Sequence, residues 1–219
     1  MCLTPFCNNY NIKDVFYSVC YSVKEVVLIL ALEQKILTEG QVLPGEVLKV
    51  GSFLNQQIDT TLLKEMGEEI ARLFADNNVT KVLTIESSGI AMAYAAAVAI
   101  GVPLVFAKKH KSSNLAGNIL TSKVFSYTHQ QTYDIMVSGD YIKSDDNILI
   151  VDDFLAMGNA LNGLIDITGQ AGAKLAGCAI AIEKGYQGGG DALRAKGIKV
   201  ESLAIIDKMT DDSVVFRPQ

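Results

Sequence analysis

Two adjacent carboxylates, Asp152 and Asp153, follow the apolar run Ile148-Leu149-Ile150-Val151 and precede a turn of small residues, Ala156-Met157-Gly158-Asn159-Ala160. The order has a chemical reading. A continuous apolar run is a strand covered on both faces of a parallel sheet. Ligands of open α/β sheets bind outside the carboxyl ends of such strands. The helix expected over residues 159–170 leaves its first backbone N–H groups free for a phosphate, and Gly158 permits close backbone approach. Paired acids just upstream accept hydrogen bonds from neighbouring hydroxyls or sit near a metal ion. A phosphate at one end and a diol at the other describe a ribose 5-phosphate. Acids also sit at strand tips in nucleotide hydrolases and response regulators, so this stretch alone leaves both readings open. No Gly-rich Walker loop or dinucleotide fingerprint precedes any strand of the chain.

The elements that must carry these residues follow from periodicity. Residues 30–37 have helical spacing, with Gly40 as a stop. Residues 41–50 are strand-like but broken at Pro44-Gly45, which suits a small flap. Asp59 or Thr60 can cap a helix with Leu62, Leu63, Met66, Ile70, Leu73 and Phe74 on one face. A second buried strand, 81–85, ends in Glu86-Ser87-Ser88-Gly89, and an alanine-rich helix runs over 90–100. A third strand, 102–107, leads into Lys108-Lys109-His110-Lys111. From 112 to 134 the helical period fades and Ser, Thr, Asn and Gln accumulate. Two hairpin-like strands, 118–126 and 132–138, form an insert that suits a mobile lid. Late strands are expected at 175–182, 199–206 and 213–216, with a helix at 191–196. This βαβα rhythm predicts an α/β fold around a parallel sheet with right-handed crossovers.

At 219 residues, with 49% hydrophobic and 20% charged residues, the chain reads as one globular domain with a substantial core. A net charge of -5 and no Lys/Arg-dense run argue against nucleic-acid binding. Cys2, Cys7, Cys20 and Cys178 show no metal-ligand spacing and read as reduced thiols of a cytosolic protein, with disulfides in the N-terminal tail as the alternative. The apolar piece 26–32 is too short to span a bilayer, and no basic start precedes a long apolar core. Residues 1–28 are expected to be an extension outside the domain, which occupies 29–219.

The stretch 147–160 resembles the phosphoribosyl-pyrophosphate (PRPP) signature of type I phosphoribosyltransferases. The likeness is wider than that motif. Val47-Leu48-Lys49-Val50, residues 53–59, 84–91, 105–112 and 152–160, and Ile182-Glu183-Lys184 resemble bacterial xanthine phosphoribosyltransferases, in that family's order and spacing across about 29–216. The resemblance implies a type I phosphoribosyltransferase fold with a small hood or flap and a lid. It also implies a cytoplasmic purine-salvage enzyme, commonly a homodimer, that joins xanthine to PRPP. Residue by residue, Ala156, Met157, Gly158, Asn159 and Ala160 match the 5'-phosphate loop. Asp152 and Asp153 are expected to face the ribose diol and the Mg²⁺ carried by PRPP. Glu86, Ser87, Ser88 and Gly89 match the loop that touches pyrophosphate, whose charge Lys108, Lys109 and Lys111 offset. Leu48, Asn55 and Lys184 match purine contacts; Lys184 suits a partly anionic base, and Asn55 offers both donor and acceptor.

Each assignment has a plainer rival. The lysine cluster can be a solvated turn, Lys184 can snorkel at a strand end, Asn55 can cap the next turn, and Glu86 can pair with a lysine. The chain also departs from the family pattern. Met157 and Asn159 stand where Asn and Gln are usual, Ala156 cannot act as a general base, and the run 185–190 is richer in glycine and lacks an Arg at 190. A PRPP-sensing regulator would need a DNA-binding domain larger than the first thirty residues. A transferase for another base would share the PRPP site and differ in the base pocket.

Overall fold

The computed structural model describes Leu28 and residues 31–109, 117–126, 131–210 and 213–218. Residues 31–39 form α1, which buries Leu32 and Ile36 one turn apart. Gly40 ends it by donating its backbone N–H to Ile36 O. A hairpin follows, β1 (Gln41–Leu43) and β2 (Val47–Lys49), turning at residues 44–46 as the Pro-Gly break predicted. Asp59 caps α2 (Thr60–Leu73), accepting from the N–H groups of Thr61 and Leu62 at 3.1 Å each. Then come β3 (Lys81–Ile85), α3 (Gly89–Ile100), β4 (Leu104–Ala107), β5 (Ile119–Ser126), β6 (Gln131–Ser138), β7 (Asn147–Leu155) and α4 (Asn159–Gln170). The chain finishes with β8 (Lys174–Lys184), α5 (Gly189–Ala195), β9 (Val200–Met209) and β10 (Val214–Phe216).

The main sheet has six strands in the order β10-β9-β8-β7-β3-β4, parallel except for the edge strand β10. From β3 the chain steps outward to β4, then returns to build β7, β8 and β9 on the other side. The strand order therefore reverses between β3 and β7, and a crevice at such a point is where ligands of open α/β sheets bind. Alternate residues of β7 feed two cores, as a doubly covered strand requires. Leu149 and Val151 join the cluster holding α1, α2 and α3, while Ile148 and Ile150 join the one holding α4 and the β5–β6 hairpin.

One boundary differs from expectation in a way that shapes the site. The acids do not lie past the end of β7 but inside it. Pairing with β3 stops at Leu83↔Ile150, whereas pairing with β8 continues through Asp152↔Ile180 and Phe154↔Ile182 to Leu155↔Glu183. Leu155 is buried in the α4-side core, which holds the strand in its ladder beyond the acids. Loss of the β3 partner opens the crevice on that side.

The insert between β4 and β7 is the expected antiparallel hairpin, in register from Ile119↔Ser138 to Ser126↔Gln131. Val124, Ile135 and Val137 pack against Leu161, Leu164 and Ile167 of α4. A two-way backbone bridge at 2.9 Å, Lys108 with Met136, fastens β6 to the end of β4. Leu28 is buried in the α1-side core, one residue ahead of the expected domain boundary. The rest of the segment 1–27, with Cys2, Cys7 and Cys20, lies outside the described residues. Among the described residues no helix is long and apolar enough to cross a membrane. Cys178 is buried, and burial pushes its thiol up to about 12.

Candidate active site

Asp152 and Asp153 sit side by side in the crevice between β7 and β3, both buried. Asp153 is held from two other elements: Ser88 Oγ donates to Oδ1 at 3.0 Å and Asn55 Nδ2 to Oδ2 at 3.3 Å. Asn55 therefore does not cap a turn; Asp59 does that, and Asn55 reaches the acids instead. Asp152 Oδ1 accepts the backbone N–H of Asp153 at 3.0 Å. Burial, then the charge of Asp153, push the Asp152 carboxyl well above the ordinary aspartate value; the Lys109 ammonium acts weakly against this. Gly89, the first residue of α3, leaves room for that carboxylate. A Cβ at 89 would overlap both Asp152 Oδ1 and Thr84 Oγ1. Thr84 Oγ1 is buried with no hydrogen-bond partner among the described residues.

The expected pyrophosphate side lies across the crevice. The Glu86–Ser87 peptide is cis. Glu86 Oε1 accepts the backbone N–H of Lys109 at 2.7 Å, so it fixes the lysine segment through main chain, not through an ammonium. Lys108 is engaged by its backbone with Met136, and the Lys109 ammonium lies over the Tyr133 ring, 5.8 Å from its centroid. Lys111 and His110 lie outside the described residues.

The turn 156–160 lines a cleft of about 620 Å³ together with Glu46, Tyr133, Lys184 and Gln187. Gly158 is left-handed, φ +82°, and precedes α4 with no side-chain cap, so the first-turn N–H groups beside the cleft are unclaimed by a cap. Asn159 Nδ2 donates to Phe125 O at 2.9 Å and ties the turn to the hairpin. Gly189, at the start of α5, packs so closely that a Cβ there would overlap Ala156 O, Met157 C and Gly158 N. The glycine-rich run after Lys184 thus has a reason: α5 buttresses the turn. Behind it, fully buried Glu183 meets Arg194 in a two-pronged ion pair at 2.9 and 2.7 Å and accepts from Ser202 Oγ at 2.5 Å.

At the other end of the cleft, Lys184 Nζ donates to Glu46 O at 2.6 Å, and Gln187 Nε2 donates to Glu46 Oε2 at 3.1 Å. Both clasp the β1–β2 turn over the site. Burial holds the Lys184 ammonium below the ordinary lysine value, with the Glu46 charge opposing. Leu48 is not in this cleft; it is buried, and lines a separate one of about 410 Å³ with Asn55 and Val50. The structure thus joins Lys184 to the 156–160 turn in one cleft and Asn55 to the acids, but leaves Leu48 on the far side of the flap. Sequence reasoning missed Glu46, Tyr133 and Gln187. No spacing marks them, because each meets its partner only through the fold.

The chain matches the family described as phosphoribosyl transferase domain over residues 51–211. It is similar to the xanthine phosphoribosyltransferase of Pseudomonas syringae pv. syringae (strain B728a), 52% identical over 187 residues, covering 85% of this chain and 99% of the relative. The protein of the same name from Bacillus cereus (strain AH187) is 50% identical over 188 residues, covering 86% and 95%. Among solved structures, the adenine phosphoribosyltransferase of Rhodothermus marinus DSM 4252 shares the fold, with a TM-score of 0.67 at 23% identity over 83% of this chain and 99% of that one. That of Leishmania tarentolae also scores 0.67, at 18% identity over 83% and 90%.

Proposed function

The chain belongs to the phosphoribosyl transferase domain family, and from that premise we propose that it joins xanthine to PRPP, yielding xanthosine 5'-monophosphate and pyrophosphate. The observation that carries this reading is one cleft in which an uncapped helix start and a half-buried lysine stand at the ends of adjacent strands, β7 and β8. The 5'-phosphate rests on the backbone N–H groups of 156–160. Asp152 and Asp153 face the ribose diol. They also fit a Mg²⁺ that brings most of its ligands as substrate oxygens and water, the way this ion is held beside phosphates. That ion would neutralise pyrophosphate charge. Pyrophosphate leaves toward 86–89 and Lys108, Lys109 and Lys111. The bond from C1' to its oxygen breaks, N9 of the base bonds to C1', and the N9 proton is released. Positive character builds on the ribose, so positioning and charge stabilisation supply most of the rate. Lys184 releases Glu46 O and donates to a purine oxo group, and Asn55 approaches the base from its place beside Asp153. Leu48, buried behind the flap in the separate cleft, acts by packing rather than by touching the base in this cleft. Ala156 offers no general base, and a weakly acidic purine needs little help.

The insert 112–134 is read as covering the activated sugar against water, with the β5–β6 hairpin, packed on α4 and bridged to β4, as the fixed wall of that cover. A cytoplasmic homodimer completes the proposal, in line with the resemblance. The exposed Phe106 and Tyr141 beside the edge strand β4 support it, and light scattering would test it. Residues 1–27 are read as an extension outside the catalytic unit. The test of function is a panel of xanthine, guanine, hypoxanthine, adenine and uracil, each with PRPP and Mg²⁺, followed by pyrophosphate release. Xanthine should lead; a panel led by adenine or uracil would defeat the reading.

A further inference from the structure

We propose that Tyr133 is a positioning residue for the pyrophosphate end of the site: its ring face holds the Lys109 ammonium in place before the ligand arrives. The inference rests on the transferase reading above and adds a residue that neither the motifs nor the spacing marks.

Three observations carry it. First, Tyr133 is anchored. It stands opposite Val124 in the hairpin register, and Val124 is buried against α4; the Tyr133 ring packs on the same core while lining the cleft beside the 156–160 turn. Second, the backbone of Lys109 is tied to the same frame. Glu86 Oε1 accepts its N–H at 2.7 Å, and the preceding residue, Lys108, exchanges two backbone hydrogen bonds with Met136, three residues along β6 from Tyr133. Only the side chain of Lys109 is left to choose a direction, and its ammonium lies 5.8 Å from the Tyr133 ring centroid. Third, the two groups share the acids' electrostatic neighbourhood: the Tyr133 hydroxyl is pushed up by burial and then by the Asp152 charge, and the Lys109 ammonium weakly opposes the upward push on the Asp152 carboxyl.

The physical account is one of rotamer freedom. A lysine has four rotatable bonds and loses much entropy when a ligand immobilises it. A ring face attracts a cation through its quadrupole. Tyr133 thereby narrows the search of Lys109 to directions over its ring, on the side of the cleft that Tyr133 lines. Because the phenol stays protonated, the ring does this without adding charge. The contact depends on hairpin and β4 together, so the arriving pyrophosphate meets a cation already placed rather than one recruited from solvent.

The test is a double-mutant cycle in the full chain, reading KM for PRPP, KM for xanthine and melting temperature. Tyr133→Leu keeps apolar packing and removes the ring face. It should raise the PRPP KM about fivefold, as expected for a partly desolvated cation–ring contact, with the xanthine KM unmoved. Tyr133→Phe keeps the face and should stay within about twofold of wild type. In a Lys109→Met background, Tyr133→Leu should add nothing. An unchanged PRPP KM in Tyr133→Leu, a full further loss in the Lys109→Met background, or a Tyr133→Phe variant as impaired as Tyr133→Leu would each overturn the proposal. If Tyr133→Leu melts lower, the same comparison is made on folded protein by titrating magnesium pyrophosphate calorimetrically well below the transition. A wild type that releases no pyrophosphate with any base defeats the transferase reading instead; an active wild type with an indifferent Tyr133→Leu defeats only this inference.

Discussion

At the proposed phosphate end of the cleft, five consecutive residues, 156–160, line the wall, and a neighbouring helix start presses on them through Gly189. At the proposed base and pyrophosphate ends the contacts join segments far apart in the chain. Lys184 meets Glu46 across 138 positions, Asn55 meets Asp153 across 98, and Lys109 meets Glu86 across 23. The contrast has a physical origin. A phosphate is the same in every substrate, so a fixed loop with unclaimed N–H groups suffices. A base and a leaving group are read by side chains, whose donors must converge from separate elements.

The largest effect should come from the residues that join the two ends. Changing Asp152 and Asp153 together to Asn should cut turnover on the order of 100-fold or more, the scale for losing preorganised charge at a reacting centre. Turnover that is unchanged at both low and saturating PRPP would make the pair merely structural. Asp152→Asn alone should stabilise the fold. The Asp152 carboxyl is raised in the folded state, so folding favours its protonated form, and stability falls as pH rises from the unfolded value through the raised one. The gain in melting temperature from Asn should therefore be greatest at alkaline pH and vanish in acid. A gain that grows toward acid would contradict the burial account.

Next in size is the support behind the 156–160 turn. Arg194→Met strands the fully buried Glu183 carboxylate with Ser202 as its remaining side-chain partner among the described residues. Urea denaturation should show a loss of about 3–5 kcal/mol, the scale for breaking a buried pair from one side. A loss under about 1 kcal/mol, the range of exposed pairs, would mean that water reaches Glu183.

What could be read from sequence divides along the same line. The strand at 81–85, the helix at 159–170 and the hairpin strands were legible because each is a local pattern of period 2 or 3.6, or an apolar run. The turn at 156–160 was legible as the start of α4 because its small residues are contiguous. The true end of β7 was not, since it depends on β8 continuing alongside it and on a burial site for Leu155. Glu46, Tyr133 and Gln187 were hidden because their partners are brought from other segments. The glycines after Lys184 were visible as a departure from the family pattern, but their purpose needed the position of α5 against the turn.

The smallest effect is expected outside both ends. Removing residues 1–27 while keeping Leu28, which packs in the α1-side core, should leave melting temperature and xanthine turnover unchanged. An insoluble or inactive product would make the segment part of the fold.

The most direct test of the two-ended site is to measure both Michaelis constants on two variants side by side. Gly189→Ala must displace the 156–160 turn, whereas Lys184→Met leaves the turn alone and removes the cation at the base end. The account predicts that Gly189→Ala raises the PRPP KM, with the xanthine KM nearly constant, and that Lys184→Met does the reverse. Two variants that raise both constants in equal proportion would contradict it.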